Sequence, residues 1–288
     1  MVSRHGGKIL VDQLKKNGVE RVFSVPGESF LAALDGLYES GIENIVCRHE
    51  GGATMMAEAD AKMTNRPGVV FVTRGPGATN ASSGIHVAMQ DSTPLIVFVG
   101  QVPLGHRDRE AFQEINYESF FSSVSKWVAE VKDVKRLPEY VARAFQVSQS
   151  GRPGPVILSL PEDVLSSSCE VLDRPKAVFG KLVTSESEIE KIENIIIDAK
   201  RPVIISGGSG WTKETVKNLG QFAQKFDLPV ATTFRRQHLM DNRHACYIGD
   251  LGTGMNPHLA NTIKNSDLII AIGTRLSDIS TGGYELID

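Results

Sequence analysis

The segment 47–62, CRHEGGATMMAEADAK, places Arg48, His49 and Glu50 where an apolar run gives way to a helix-forming stretch. A carboxylate at such a junction can be held with little water around it, and can then exchange a proton or keep one for a hydrogen bond. Glycines 51 and 52 leave room beside it. A plainer role is open too, because a first-turn glutamate is favoured by the helix dipole. His49 is structural by default. In 22–29, VFSVPGES, a strand runs into Pro26-Gly27 and then a helix whose first-turn groups include Glu28 and Ser29. That turn either brings backbone close to a ligand at a sheet edge or simply joins two elements, with Ser29 as the helix cap. In 72–88, VTRGPGATNASSGIHVA, a strand meets Gly75-Pro76-Gly77 and a helix carrying Thr79 and Asn80 in its first turn. Such a loop exposes N–H groups and small polar side chains, but the Gly-Lys-Ser/Thr ending of a phosphate loop is missing.

Two further segments are weaker signals. In 100–120, GQVPLGHRDREAFQEINYESF, Phe112 and Gln113 offer an apolar wall and an amide to a small substrate, while Arg107, Asp108, Arg109 and Glu110 read as a solvated charge run. The glycine-rich 204–212, IISGGSGWT, lacks the third glycine of a dinucleotide fingerprint, yet still suits a nucleotide-like ligand. Neither a Gly-x-Ser-x-Gly elbow nor a His-x-x-Glu-His pattern occurs. Met55, Met56, Trp127 and Phe222 read as core.

The elements that must position these residues follow from periodicity. Short Val- and Ile-rich runs at 21–25, 44–48, 68–73, 95–100, 127–131 and 155–160 alternate with helical stretches such as 29–40 and 51–65. This is the pattern of a parallel sheet flanked by helices, an α/β fold. From 165 the pattern lapses into Ser, Pro and mixed charge. The expected organisation is a first domain over 1–165, a linker over 166–186 and a second, Rossmann-like α/β domain over 187–288. That second series has a helix at 186–199, a strand at 202–208, a helix at 212–226 and strands at 229–233 and 268–274, and the expectation is that it is incomplete.

The 288 residues are 41% hydrophobic and 23% charged, enough for a sizeable core, with a net charge of −3 and no dense basic run. Nucleic acid is therefore not an expected partner. The longest apolar runs fall short of a membrane span, and MVSRHGGK leads into no signal segment, so the expected location is the cytoplasm. Three scattered cysteines, Cys47, Cys169 and Cys246, suggest free thiols rather than disulfides or a zinc site.

Taken in order, VPG (25–27), CRHE (47–50), MAE (56–58), GPGATN (75–80), DSTPL (91–95), GQV (100–102), AFQE (111–114) and GRPGPV (151–156) resemble the thiamin diphosphate-dependent carboligases and decarboxylases, and within them the acetolactate synthase large-subunit branch. The resemblance implies a pyrimidine-binding first domain, and a central domain that is structural or holds a nucleotide such as FAD. It also implies Mg²⁺ and diphosphate binding by a third domain whose Gly-Asp-Gly motif does not occur here. Glu50 would hydrogen-bond the cofactor's aminopyrimidine ring and so prepare the thiazolium carbon for deprotonation. Val25, Pro26, Gly27, Thr73, Pro76 and Asn80 would line the cofactor pocket, with Phe112 and Gln113 over the substrate. No metal ligand is expected in this chain. The implied reaction is decarboxylation of pyruvate or another 2-oxo acid and transfer of the two-carbon unit to a second carbonyl, as in branched-chain amino acid biosynthesis, by a homodimer or homotetramer. A thiamin diphosphate decarboxylase or lyase with another acceptor, and a non-catalytic nucleotide-binding or regulatory module, are the alternatives. Three positions depart from the family pattern: Glu28 in place of a second Gly, Gly51 in place of Gln, and Glu162 in place of Lys.

Overall fold

The computed structural model describes residues 2–180 and 183–287. The chain divides between residues 180 and 181 into two compact units. The first begins with a two-residue strand, β1 (Arg4–His5), and helix α1 (Gly6–Lys16). Its main sheet comprises β2 (Arg21–Ser24), β3 (Glu43–Val46), β4 (Gly68–Val72), β5 (Leu95–Gln101), β6 (Trp127–Glu130) and β7 (Pro155–Pro161). All six are parallel, in the order β3-β2-β4-β5-β7-β6.

The central strands are apolar on both faces, as strands covered on both sides must be. Val69 and Phe71 point to one core, with Ile9, Leu10 and Leu14 of α1, Ala33 and Leu37 of α2 (Leu31–Leu37), and Val141 and Phe145 of α6 (Leu137–Gln149). Val70 and Val72 point to the other, with Ala53 and Ala57 of α3 (Glu50–Thr64), Ala78, Ala81 and Ile85 of α4 (Pro76–Asp91), and Tyr117 and Phe121 of α5 (Tyr117–Phe121). Each large side chain buried this way contributes about 1.5–3 kcal/mol. Phe30, Phe71 and Phe98 stack in succession at 5.9 and 4.9 Å between ring centroids, fixing the first face.

The division after residue 180 falls within the expected linker of 166–186. After α7 (Glu162–Ser166), β8 (Ser168–Cys169) pairs antiparallel with β1. The chain beyond it is pinned to α1: the Gln13 side chain donates to Arg174 O (3.1 Å) and accepts from Arg174 N (2.8 Å), and Asn17 Oδ1 accepts from Ala177 N (3.0 Å). The first part of the predicted linker is thus a strap on the first unit.

The second unit contains α8 (Glu186–Asp198), β9 (Pro202–Ser206), α9 (Lys213–Phe226), β10 (Val230–Thr233), β11 (Tyr247–Leu251), α10 (Pro257–Lys264) and β12 (Leu268–Ile272). Its parallel sheet runs β11-β10-β9-β12, with α9 on one face and α10 on the other. Elements β1, α1, α7, β8, β11 and α10 go beyond those the sequence pattern predicts. Among the described residues no helix is long and apolar enough to cross a membrane. All three cysteines are free thiols.

Candidate functional site

Chain order around β2 creates the crevice. From β2 the chain moves to β3 on one side, then returns to β4 on the other, so the carboxyl ends of β2 and β4 are neighbours from which the chain departs in opposite directions. Open α/β sheets bind ligands at such a point. The residues leaving β2 are Val25-Pro26-Gly27, and those leaving β4 are Thr73-Arg74-Gly75-Pro76.

Glu50 opens α3 beside this crevice and is 8% exposed. His49 caps the helix, its Nδ1 accepting from Gly51 N at 3.0 Å. Close packing of α3 on α4 aims the carboxylate. A Cβ on Gly84 would lie 2.1 Å from Thr54 Oγ1, and the Thr54 hydroxyl is shared among Glu50 O, Gly51 O and Ala81 O. At this separation Asn80 Nδ2 donates to Glu50 Oε2 at 3.0 Å. Glu50 Oε1 has no hydrogen-bond donor among the described residues.

Thr73 is a wedge between the two turns. A Cβ on Gly27 would come within 2.4 Å of Thr73 Cβ, and one on Gly77 within 2.7 Å of Thr73 Cγ2 and 3.3 Å of Glu50 Oε1. Ser29 is buried and meets Thr73 Oγ1 at 2.9 Å, so it ties the turns together instead of capping a helix as expected. Gly27, Thr73, Gly77, Asn80 and Glu50 therefore converge. Pro26 and Pro76 are exposed beside them, and Val25 is half-buried, its N–H donating to Phe71 O.

Gln113 reaches the same region. Gly75 has φ +50°, and a Cβ there would lie 2.8 Å from Gln113 Cβ. Phe112 is 76% exposed, so within this chain it walls nothing. The loop carrying both is organised by Glu114, which accepts from Asp108 N (2.9 Å), Ala111 N (3.2 Å) and Arg107 Nη1 (2.6 Å). These donors, the Asp108 N–H foremost, hold its carboxyl below the usual range. Arg107 also pairs with Glu130, so it is not part of a solvated charge run; Asp108, Arg109 and Glu110 are exposed.

Two residues escape motif reasoning. Tyr117 accepts from Gly75 N and donates to Gly100 O, both at 3.1 Å, and burial pushes its phenol up to about 12. Its only sequence signal is an aromatic after a loop. Arg74, buried between Thr73 and Gly75, pairs with Glu28 (2.5 Å) and Glu162, two positions that depart from the family pattern. Opposite charges at three distant turns could have suggested this cluster.

Other expectations resolve differently. Met55 and Met56 are 38% and 44% exposed, not core. The segments 56–58 and 91–95 meet away from the crevice, where Glu58 accepts from Thr93 (2.8 Å) and Lys62 pairs with Glu58 and Asp91. In the second unit, a Cβ on Gly207 would lie 2.2 Å from Thr233 Oγ1 and one on Gly208 1.9 Å from Gly273 O, so neighbouring protein atoms occupy those sites. A cavity of about 420 Å³ lies instead among Gly252, Gly254, Met255, Asp278, Gly282 and Gly283. Among the described residues no group of three or more His, Cys, Asp or Glu could hold a metal ion.

A doubly wound parallel sheet, with a buried carboxylate at its switch point, defines an α/β protein with a candidate crevice for a small organic ligand. The family is narrower. Residues 4–120 match the N-terminal TPP binding domain of the thiamine pyrophosphate enzymes, and residues 189–287 match their central domain. The chain belongs to the thiamine pyrophosphate enzyme family. It is 37% identical to a mitochondrial acetolactate synthase of Schizosaccharomyces pombe over 99% of this chain and 45% of that protein. Identity is 32% to the acetolactate synthase isozyme 2 large subunit of Escherichia coli (96% and 51%), and 32% to a probable acetolactate synthase large subunit of Methanocaldococcus jannaschii (96% and 48%). The chain spans about half the length of the curated relatives it matches.

Proposed function

We propose that this chain supplies the pyrimidine-binding and central domains of an acetolactate-synthase-like carboligase that decarboxylates a 2-oxo acid, pyruvate first, and transfers the two-carbon unit to a second carbonyl. The observation that carries this reading is Glu50: a buried carboxylate at the switch point, with one oxygen fixed by Asn80 and the other without a donor among the described residues. That arrangement fits a heterocycle whose ring nitrogen shares a proton with Oε1. Thiamin diphosphate, when bound, supplies an electron sink at its thiazolium carbon. Glu50 would hold the proton at the pyrimidine nitrogen, Asn80 would keep the carboxylate from turning, and Thr73 would set the width of the crevice.

The described residues do not fit a Mg²⁺ site, so no metal step is derived from them. FAD is to be sought at the 420 Å³ cavity of the second unit, where glycines line the wall, rather than at GGSG. A homodimer or homotetramer is supported by the exposed Met55, Met56 and Met63 of α3, since apolar side chains grouped on one helix mark a surface for a partner. The test is calorimetric titration of the full-length protein with thiamin diphosphate and Mg²⁺, followed by a screen of 2-oxo acid donors and carbonyl acceptors. Cofactor binding with CO₂ release and a carboligated product is the expected result. Absence of both binding and 2-oxo acid consumption rejects the reading.

A further inference from the structure

Arg74 carries an N–H that the described residues leave unused. Its side chain is 10% exposed, Nη1 donates to Glu162, Nη2 donates to Glu28, and Nε is buried with no hydrogen-bond partner among the described residues. A buried donor left unmet is costly, more so in a charged group, and asks for an acceptor. Nε and Nη2 lie along one edge of the planar guanidinium, the edge a carboxylate engages with two parallel N–H···O bonds. Here a single Glu28 oxygen uses half of it.

The two carboxylates hold Arg74 unequally. Glu162, at the start of α7, is 34% exposed, whereas Glu28 is 70% exposed and meets the guanidinium at one point. An exposed single-point ion pair contributes little to stability, so Glu28 is the partner that can leave. Both ends of this pair adjoin the crevice: Glu28 follows Gly27, Arg74 follows Thr73, and those two neighbours pack on each other beside Glu50.

We propose that the Nε–Nη2 edge of Arg74 receives the carboxylate of the 2-oxo acid, with Glu28 as a placeholder that the substrate displaces and Glu162 holding the guanidinium in position. This rests on the reading of the site as a 2-oxo acid carboligase. Arg74 is then the residue that orients the substrate's charged end, and its test separates charged from neutral ligands.

The experiment uses the full-length protein with thiamin diphosphate and Mg²⁺, comparing pyruvate with acetaldehyde as a neutral carbonyl acceptor. Glu28→Gln removes the competing charge at an exposed position, and lowers the KM for pyruvate by about fivefold. Arg74→Lys keeps the charge but loses the fork, and raises the KM for pyruvate by roughly thirtyfold, while half-saturation by acetaldehyde shifts by less than about threefold. Calorimetry of pyruvate on the cofactor-free protein follows the same order. A Glu28→Gln variant whose KM for pyruvate is unchanged or raised overturns the proposal, as does an Arg74→Lys variant that affects both ligands alike. Tighter binding of inorganic phosphate than of pyruvate at Arg74 overturns it as well. Wild-type protein that binds no thiamin diphosphate and consumes no 2-oxo acid defeats the functional reading itself. Turnover of pyruvate by the wild type, with the KM unchanged in both variants, defeats only the assignment of Arg74.

Discussion

Two glycine-rich turns in this chain look alike in sequence and do different work. Both follow a strand of a parallel sheet and precede a helix: Gly75-Pro76-Gly77 after β4, and Gly207-Gly208 after β9. In the first, the atoms a Cβ would meet belong largely to Thr73, Glu50 and Gln113, side chains able to touch a ligand. In the second, the tightest approach is to the main chain of Gly273, and Trp211 Nε1 donates to Gly207 O at 2.8 Å, closing the turn on itself. Glycine marks close approach in both. What approaches differs: side chains of the candidate site at the first turn, the main chain of Gly273 at the tightest point of the second.

The largest expected effect belongs to the first turn's carboxylate. Glu50→Gln in the full-length protein lowers proton exchange at the thiazolium carbon by about a hundredfold or more, read by deuterium exchange, while the melting temperature barely moves. A normal exchange rate removes Glu50 from the chemistry. Gly208→Ala has the opposite profile. With φ at +70° and a Cβ 1.9 Å from Gly273 O, it destabilises the second unit, by about 3 kcal/mol. Denaturant melts should show this with thiamin affinity unaltered. Gly77→Ala pushes on Thr73 and Glu50 and weakens thiamin diphosphate binding by about tenfold in calorimetry. If Gly77→Ala costs folding and Gly208→Ala costs affinity, the contrast between the turns is reversed.

The smallest effect concerns the strut under the first turn. Tyr117→Phe leaves Gly75 N and Gly100 O without their shared partner, at a cost of about 1 kcal/mol. Burial raises the phenol from its ordinary value of 10.0 to about 12 in the folded protein. The stabilisation is therefore fully present below about pH 10 and is lost as pH rises toward about 12, because the unfolded chain ionises first. Urea melts across that range should slope downward for the wild type and less for the variant.

Much of the fold is legible because buried strands declare themselves: VVFV and LIVFV have no other soluble use. β11 is harder to see because YIGDL contains a glycine with φ +124° and an aspartate. The division after residue 180 falls inside the expected linker of 166–186, but the attachment of 174 and 177 to the first unit is not legible, because Gln13 and Asn17 hold them through hydrogen bonds that leave no periodic trace. In the site, Glu50 is legible from its place at a strand–helix junction. Its bond to Asn80 is not, since thirty residues and a helix-packing distance intervene. Arg74 and Tyr117 act through turns that adjoin only after folding.

The centre of the first sheet sets the order in which this protein can assemble. Leu95 to Gln101 pair with Pro155 to Pro161, partners sixty residues apart in the chain. A ladder of such high contact order closes late, so refolding should run on the millisecond-to-second scale. Until it does, β4 and β5 are uncharged, β-branched segments with open edges, and a dilute, cool refolding buffer is what keeps them from finding each other between molecules.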